Sequence, residues 1–389
     1  MSKALKSRWL ESADRPAYED LHAASRGAAP FNRWEWWEAA FGPSFDEDAG
    51  PNKKFGILGA FDEKNRLMAA AAFLRRRRGG FLALDVPLPT PQATLIARDA
   101  NLCNPHRLEA LRRDIAQCFA EAIRALPRFG IASVLFPPCW DDPRHWQWSG
   151  FEIQPRFSFV SDIADSAKWE REWTTSVRAR VRRARESGWR FEWDAPVEDF
   201  LPIWRETLAA DGLEMPLDDS ALRRVVETAR KGAWGAIALA YPPPSAAKET
   251  GGEGAAAANT DKAAAGALIL WDESGIAPVA AIAGPAAAAA AAATTAAAAV
   301  GPVPTAWYVL AGSNAAGRRE GIPSFLVAEI GTHLAREKGI RSFDLCGANV
   351  EEVAEFKHSF GGRLIPYWWG LCETPARAAL KQVSRLLRP

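Results

Sequence analysis

The sequence predicts a mixed α/β protein (an α+β mixed sheet) in two domains, from three observations. Apolar strand-like runs alternate with amphipathic helical segments outside two low-complexity stretches. A chain of 389 residues, 48% of them hydrophobic, is long enough for two domains and a large core. The segment FEIQPRFSFVSDI (151–163) carries the chain from one set of elements into a second, so the expected domains are 1–160 and 161–389.

In the first half, Trp34, Trp37 and Ala40 fall at helical spacing within 32–40. FGILGAFD (55–62) and RLMAAAAFL (66–74), joined through Glu63, Lys64 and Asn65, have a hairpin signature. Arg75 to Arg78 follow, then the strand FLALDVPL (81–88), a long amphipathic helix over 105–126 and a buried strand, IASVLFPP (131–138). The second half opens with a helix over 167–187, stopped by Gly188. Strand 189–193, helices 197–210 and 218–231, and strands 234–242, 265–273 and 305–313 come next. A loop, a helix over 323–338, a strand over 340–347, a short helix over 350–359, a strand over 363–371 and a last helix complete the order. The low-complexity stretches 243–263 and 275–304 read as tolerated loop insertions, because loop closure costs grow slowly with length.

Composition narrows the function classes. A net charge of +1 gives no global field toward nucleic acid or membrane, so an anion site must be a local patch. Five scattered cysteines without a C-x-x-C pair point to a reducing compartment and to neither a disulfide framework nor a zinc site. The N-terminus lacks an apolar signal region, and the alanine-rich stretch lacks leucine and contains prolines, so a cytoplasmic protein without a membrane span is expected. Seventeen tryptophans suit either cores or a binding cleft.

Three stretches carry candidate chemistry. In SVRARVRRARESG, Val177, Val181 and Ala184 make an apolar face beside Arg178, Arg182 and Arg185, whose guanidinium forks suit phosphate. A solvated helix face is the alternative. GSNAAGRREGIPS (312–324) is a glycine-containing loop at a helix start, where amides can hold a pyrophosphate, or simply a strand-to-helix turn. In FDLCGANVEEVAEFKHSFGG, Asp344 and Cys346 stand near a strand end and Lys357 follows on a short helix. A cation there can steady the oxyanion of an acyl transfer, and a carboxylate can accept the amine's proton. Helical periodicity instead makes Val353, Phe356 and Phe360 core positions and leaves Lys357 exposed. His358 has no partner at metal-ligand spacing, so no metal is expected, and Cys346 has no identifiable histidine to activate it.

Together these stretches resemble FemAB-type acyltransferases of the GNAT (acyl-CoA N-acyltransferase) superfamily, including its BioF-like acetyltransferase branch. PRFSFVSDI and SVRARVRRARESG are similar to the strand and the R-x-x-I/V-R-R/K-A-x-x-x-G helix that open the family's second domain. WYVLAGS, IPSFLVAEIGTHLAREKGIRSFDLCG and EFKHSFGG follow in the family's order, the last matching F-K-x-x-F-G, and PFNRWEWWEAAFG matches its N-terminal helix. The resemblance implies tandem GNAT-like domains and transfer of an acetyl or aminoacyl group, from acyl-CoA or aminoacyl-tRNA, to a primary amine such as a cell-wall precursor. It implies Lys357 at the transfer site, with Phe356 beside it.

Two departures qualify that expectation. Ala210 stands where muropeptide-directed members carry a basic residue, and Arg318-x-x-Gly321-x-Pro323 echoes the GNAT pyrophosphate loop with a proline that removes one amide donor. The departures leave a rival class: a non-catalytic GNAT-like module that binds a nucleotide or an RNA end.

Overall fold

The computed structural model describes residues 5–42, 53–210, 212, 216–244, 262–276 and 303–379. The low-complexity inserts lie almost wholly outside these residues, as do all but the first residues of the expected last helix. The described chain divides into two compact units: residues up to Phe157 and from Ile365 onward, and residues Ser158–Gly275 with Val303–Leu364. The second domain expected from the sequence is 161–389. Here the chain leaves the second unit after Leu364, because its last strand pairs with a strand of the first.

In the first unit the strands are β1 (Lys6–Trp9), β2 (Lys53–Phe61), β3 (Leu67–Arg78), β4 (Phe81–Asp85), β5 (Leu95–Ala97) and β6 (Phe129–Leu135). The helices are α1 (Arg15–Ala23), α2 (Trp34–Phe41), α3 (Pro105–Arg124) and α4 (Arg144–Trp148). β7 (Glu152–Asp162) carries the chain onward. Sheet order is β1-β2-β3-β4-β6, followed by the last strand, β13 (Arg363–Glu373), with β5 on β3. β4 and β6 are parallel, as a helical crossover between them requires. Phe73, Phe119, Phe136, Trp140 and Trp146 fill the core between α3 and the sheet.

The arginine run Arg75–Arg78 is the end of β3, and strand alternation separates its members. Arg75 lies over the Trp9 ring, while Arg76 and Arg78 share Asp85 at 3.3 and 3.0 Å. The run is therefore no continuous cationic strip.

The second unit contains α5 (Ser166–Glu172), α6 (Thr175–Glu186), β8 (Arg190–Trp193), α7 (Val197–Ala210), α8 (Asp219–Lys231), β9 (Gly235–Tyr241) and β10 (Ala265–Ile276). It continues with β11 (Val303–Ser313), α9 (Ala315–Glu320), α10 (Ile322–Glu337), β12 (Ser342–Asp344) and α11 (Glu351–His358). Its sheet order is β7-β12-β11-β10-β9-β8, with β11 and β12 parallel across α10.

Three local expectations change. The helix expected over 167–187 is two helices: Trp173 turns into the core in extended conformation, and Thr174 caps α6 by accepting from the Val177 amide. Residues 315–320 of the expected loop form α9, capped by Asn314. The strand expected over 340–347 pairs only through 342–344, because the chain turns left-handed at Cys346, φ 56°.

The chain order repeats. Apart from β5 in the first run and α9 in the second, β2, β3, β4, α3, β6, α4, β7 has the same sequence of element types as β9, β10, β11, α10, β12, α11, β13, and the strands on either side of the long helix, β4 with β6 and β11 with β12, pair in parallel. Among the described residues no helix is long and apolar enough to cross a membrane. Most of the tryptophans are buried: Trp34, Trp36, Trp37, Trp140, Trp146, Trp169, Trp204 and Trp307 essentially fully, and Trp173, Trp234 and Trp271 nearly so.

The second core is centred on Trp169, which α10 approaches through Gly331. A Cβ at residue 331 would lie 2.3 Å from the Trp169 ring. Gly331→Ala is expected to destabilise the protein by about 1–3 kcal/mol, the usual cost of overpacking. Urea unfolding should show a lower midpoint with an unchanged slope.

Candidate active site

Parallel pairing of β11 and β12 stops after Trp307↔Asp344, and from there the two chains part. β11 runs on to Ser313, whereas the Leu345 amide turns to the Phe159 carbonyl of β7. The fork holds a compact polar group. The Tyr308 amide, just past the last paired residue, donates to the Cys346 thiol, which is buried. Asp344, 4% exposed, accepts the Ser158 hydroxyl and, at 2.7 Å, the Cys346 amide on the same oxygen, Oδ1.

α11 delivers a lysine to this turn. Phe360 is fully buried against Trp169 and Trp173, and Phe356 packs edge-on to Phe360. With those rings fixed, the Lys357 Nζ donates to the Cys346 carbonyl at 2.6 Å and to the Gly347 carbonyl at 2.9 Å. An ammonium has three N–H groups, so one remains without a partner among the described residues. Val353, expected in the core, is 39% exposed, so periodicity misassigned the inward side chain. His358 is exposed, its ring centroid 5.3 Å from that of Phe159.

Burial lowers the Lys357 pKa, and the neighbouring Cys346 and Asp344 groups oppose that shift. Burial, reinforced by Asp344, pushes the Cys346 thiol well up. A neutral thiol so placed is a poor nucleophile. The group can supply one charged hydrogen-bond donor beside a strand fork. Among the described residues no cluster of His, Cys, Asp and Glu is arranged to hold a metal ion.

No protein-family model matches the sequence, and no curated protein matches it significantly. Solved structures do. The crystal structure of FemX aligns over 97% of this chain and 99% of its own at 12% identity, with a TM-score of 0.55. The C-terminal domain (DUF2156) of a putative lysylphosphatidylglycerol synthetase from Agrobacterium fabrum aligns over 97% of both chains at 14% identity, with a TM-score of 0.51. The chain shares the fold of FemX and of this synthetase domain. At these identities the likeness is one of fold.

Within the second unit, the sequence-derived cations occupy different situations. The Arg178 guanidinium donates to the Arg171 and Trp173 carbonyls at 3.0 and 2.6 Å, closing the end of α5. Arg185 pairs with Glu329 at 2.8 Å and Glu170 at 3.6 Å, and Arg182 lies 3.8 Å from Glu186. Arg318 bonds the Ser313 carbonyl and pairs with Glu206 at 3.4 Å. The arginine stripe is thus largely tied to its own unit.

The helix start is arranged differently. Gly321, φ 73°, is the left-handed hinge between α9 and α10, and the Arg180 stem packs on it. Arg180 and Arg319 are exposed and have no ion-pair partner among the described residues. Arg180 lies off the i, i+4, i+7 stripe, so helix-face reasoning passed over it. Ser158 was also missed, since its partner Asp344 is 186 residues away.

The lowered Lys357 pKa fixes a sign for stability. Between the folded value and the ordinary lysine value of about 10.4, the unfolded chain holds a proton that the folded chain has released. Wild type is therefore expected to gain stability relative to Lys357→Met as pH rises through that window, with no change in the difference at lower pH. Denaturant midpoints of the two proteins across the alkaline range check this.

Proposed function

We propose that the protein is a cytoplasmic N-acyltransferase that moves an acetyl or aminoacyl group from acyl-CoA or aminoacyl-tRNA to a primary amine, with a cell-envelope or polysaccharide precursor as the acceptor class. One observation carries the proposal: the half-buried Lys357 keeps one N–H unpartnered among the described residues, beside the fork where β11 and β12 part. The amine attacks the donor carbonyl carbon and charge collects on the carbonyl oxygen. Lys357 stabilises that oxyanion, and the carbon–sulfur or carbon–oxygen bond to the donor then breaks. The departing thiol or hydroxyl takes up the proton released by the amine. Most of the remaining acceleration comes from holding the two reactants together.

Both donors carry phosphate. Arg180 and Arg319, flanking Gly321, are the cations in this reading that contact it, and Phe356 supports the lysine from the core side. FemX and the lysylphosphatidylglycerol synthetase domain support the reading through their shared fold.

The binding-module reading keeps one specific observation in its favour: two Lys357 N–H groups are already occupied, as they would be in a purely structural clamp. The two readings separate experimentally. Labelled acetyl-CoA, longer acyl-CoAs and aminoacyl-tRNA are offered with a panel of primary amines. Wild type is expected to transfer label from one donor class, and Lys357→Ala to lower kcat by about 10²–10³-fold while retaining its circular dichroism spectrum. Thermal stabilisation by a donor without any transfer selects the binding module.

A further inference from the structure

The Lys357 ammonium is held by carbonyls, and those carbonyls belong to a turn that is itself held. Cys346 is a non-glycine residue at φ 56°, with Gly347 after it at φ 21°. A left-handed residue with a side chain is costly and persists where the surroundings fix it. Here the fixing group is Asp344, two residues earlier, whose Oδ1 accepts the Cys346 amide at 2.7 Å. Ser158 on β7, 1% exposed, donates its hydroxyl to the same oxygen and so orients the carboxylate. β7 also receives the Leu345 amide at the Phe159 carbonyl, which anchors the chain on the far side of Asp344.

We infer that Ser158 and Asp344 are positioning residues that set the Cys346–Gly347 turn and thereby aim Lys357. On this inference Asp344 does not accept the substrate's proton. Asp344 is 4% exposed and its Oδ1 is already engaged by two donors, whereas an acceptor of the amine's proton must reach the reacting nitrogen. Its negative charge has a second effect, favouring the protonated form of Lys357. The groups facing the lysine ammonium from the strand end are Asp344 and Cys346; on its own helix Glu355 and His358 are exposed. The catalytic half of this inference rests on the acyl-transfer reading, while the structural half stands without it.

Asp344→Asn, Asp344→Ala and Ser158→Ala separate the roles. Asparagine keeps an oxygen for both donors and removes the charge; alanine removes both. Two readouts need no substrate. Deuterium exchange at the Cys346 amide is expected to stay slow in Asp344→Asn, and to quicken about tenfold or more in Asp344→Ala and Ser158→Ala, as loss of a buried bond requires. In protein carrying ¹³Cε-lysine, the Lys357 resonance is expected to titrate at lower pH in both Asp344 variants than in wild type.

The third readout is transfer. Asp344→Asn is expected to regain turnover as pH is lowered, its alkaline limb displaced downward with the Lys357 titration, and Asp344→Ala to lose kcat with KM within about threefold. Loss of turnover in Asp344→Asn at every pH, with Lys357 titrating as in wild type, overturns the inference and restores a proton-acceptor role. Should Asp344→Ala not fold, Ser158→Ala keeps the test decisive: unchanged Cys346 exchange in that variant also overturns it. If wild type transfers no acyl group, the acyl-transfer reading fails, and exchange and titration still decide the positioning role.

Discussion

The second unit's strand fork is built around a half-buried lysine bonded to two main-chain carbonyls, on a turn that Asp344 holds in place. Burying an ammonium is costly, and the cost is offset only where charge-assisted hydrogen bonds and a nearby anion replace water. Cys346 and Gly347 supply the carbonyls and Asp344 the charge. That arrangement requires the chain to leave β12 after three residues, which in turn frees the Tyr308 amide from strand pairing. The aromatic packing of Phe360 on Trp169 and Trp173 supplies the apolar support that holds α11 in place.

The repeated order of elements makes a comparison within the chain. In the first unit, β4 and β6 form the parallel pair, and the short helix after β6 is α4, RHWQW. It has no lysine, and its Trp146 is fully buried among Phe119, Phe136 and Phe151. The same chain order therefore produces an apolar core after one parallel pair and a charged turn after the other.

Much of this was legible in the sequence, for reasons that can be named. Helices and strands with strong periodicity, such as α3, α8, β9 and the β2–β3 hairpin, follow from apolar spacing alone. F-K-x-x-F-G singles out Lys357, whereas helical spacing puts Val353 inside and the lysine outside. A helix of eight residues anchored by two aromatic rings is too short for periodicity to fix its facing. Tertiary facts were invisible: the Ser158–Asp344 bond spans 186 positions, and β13 returns to the first unit by pairing with β6. The arginines of α6 were legible as charges but not as partners, since Arg178 answers carbonyls at the end of α5 and Arg185 answers Glu329. Arg180 became visible only when α10 brought Gly321 beneath it.

The central claim is that the free N–H of Lys357 meets the acyl carbonyl of the donor. Its most direct test is a crystal structure of the protein with a non-transferable ketone or thioether analogue of the donor that proves to be turned over. The account predicts the analogue's carbonyl oxygen within about 2.6–3.2 Å of Lys357 Nζ, with the bonds to Cys346 and Gly347 retained. An acyl group bound away from the β11–β12 fork, with Lys357 touching only those two carbonyls, would contradict it.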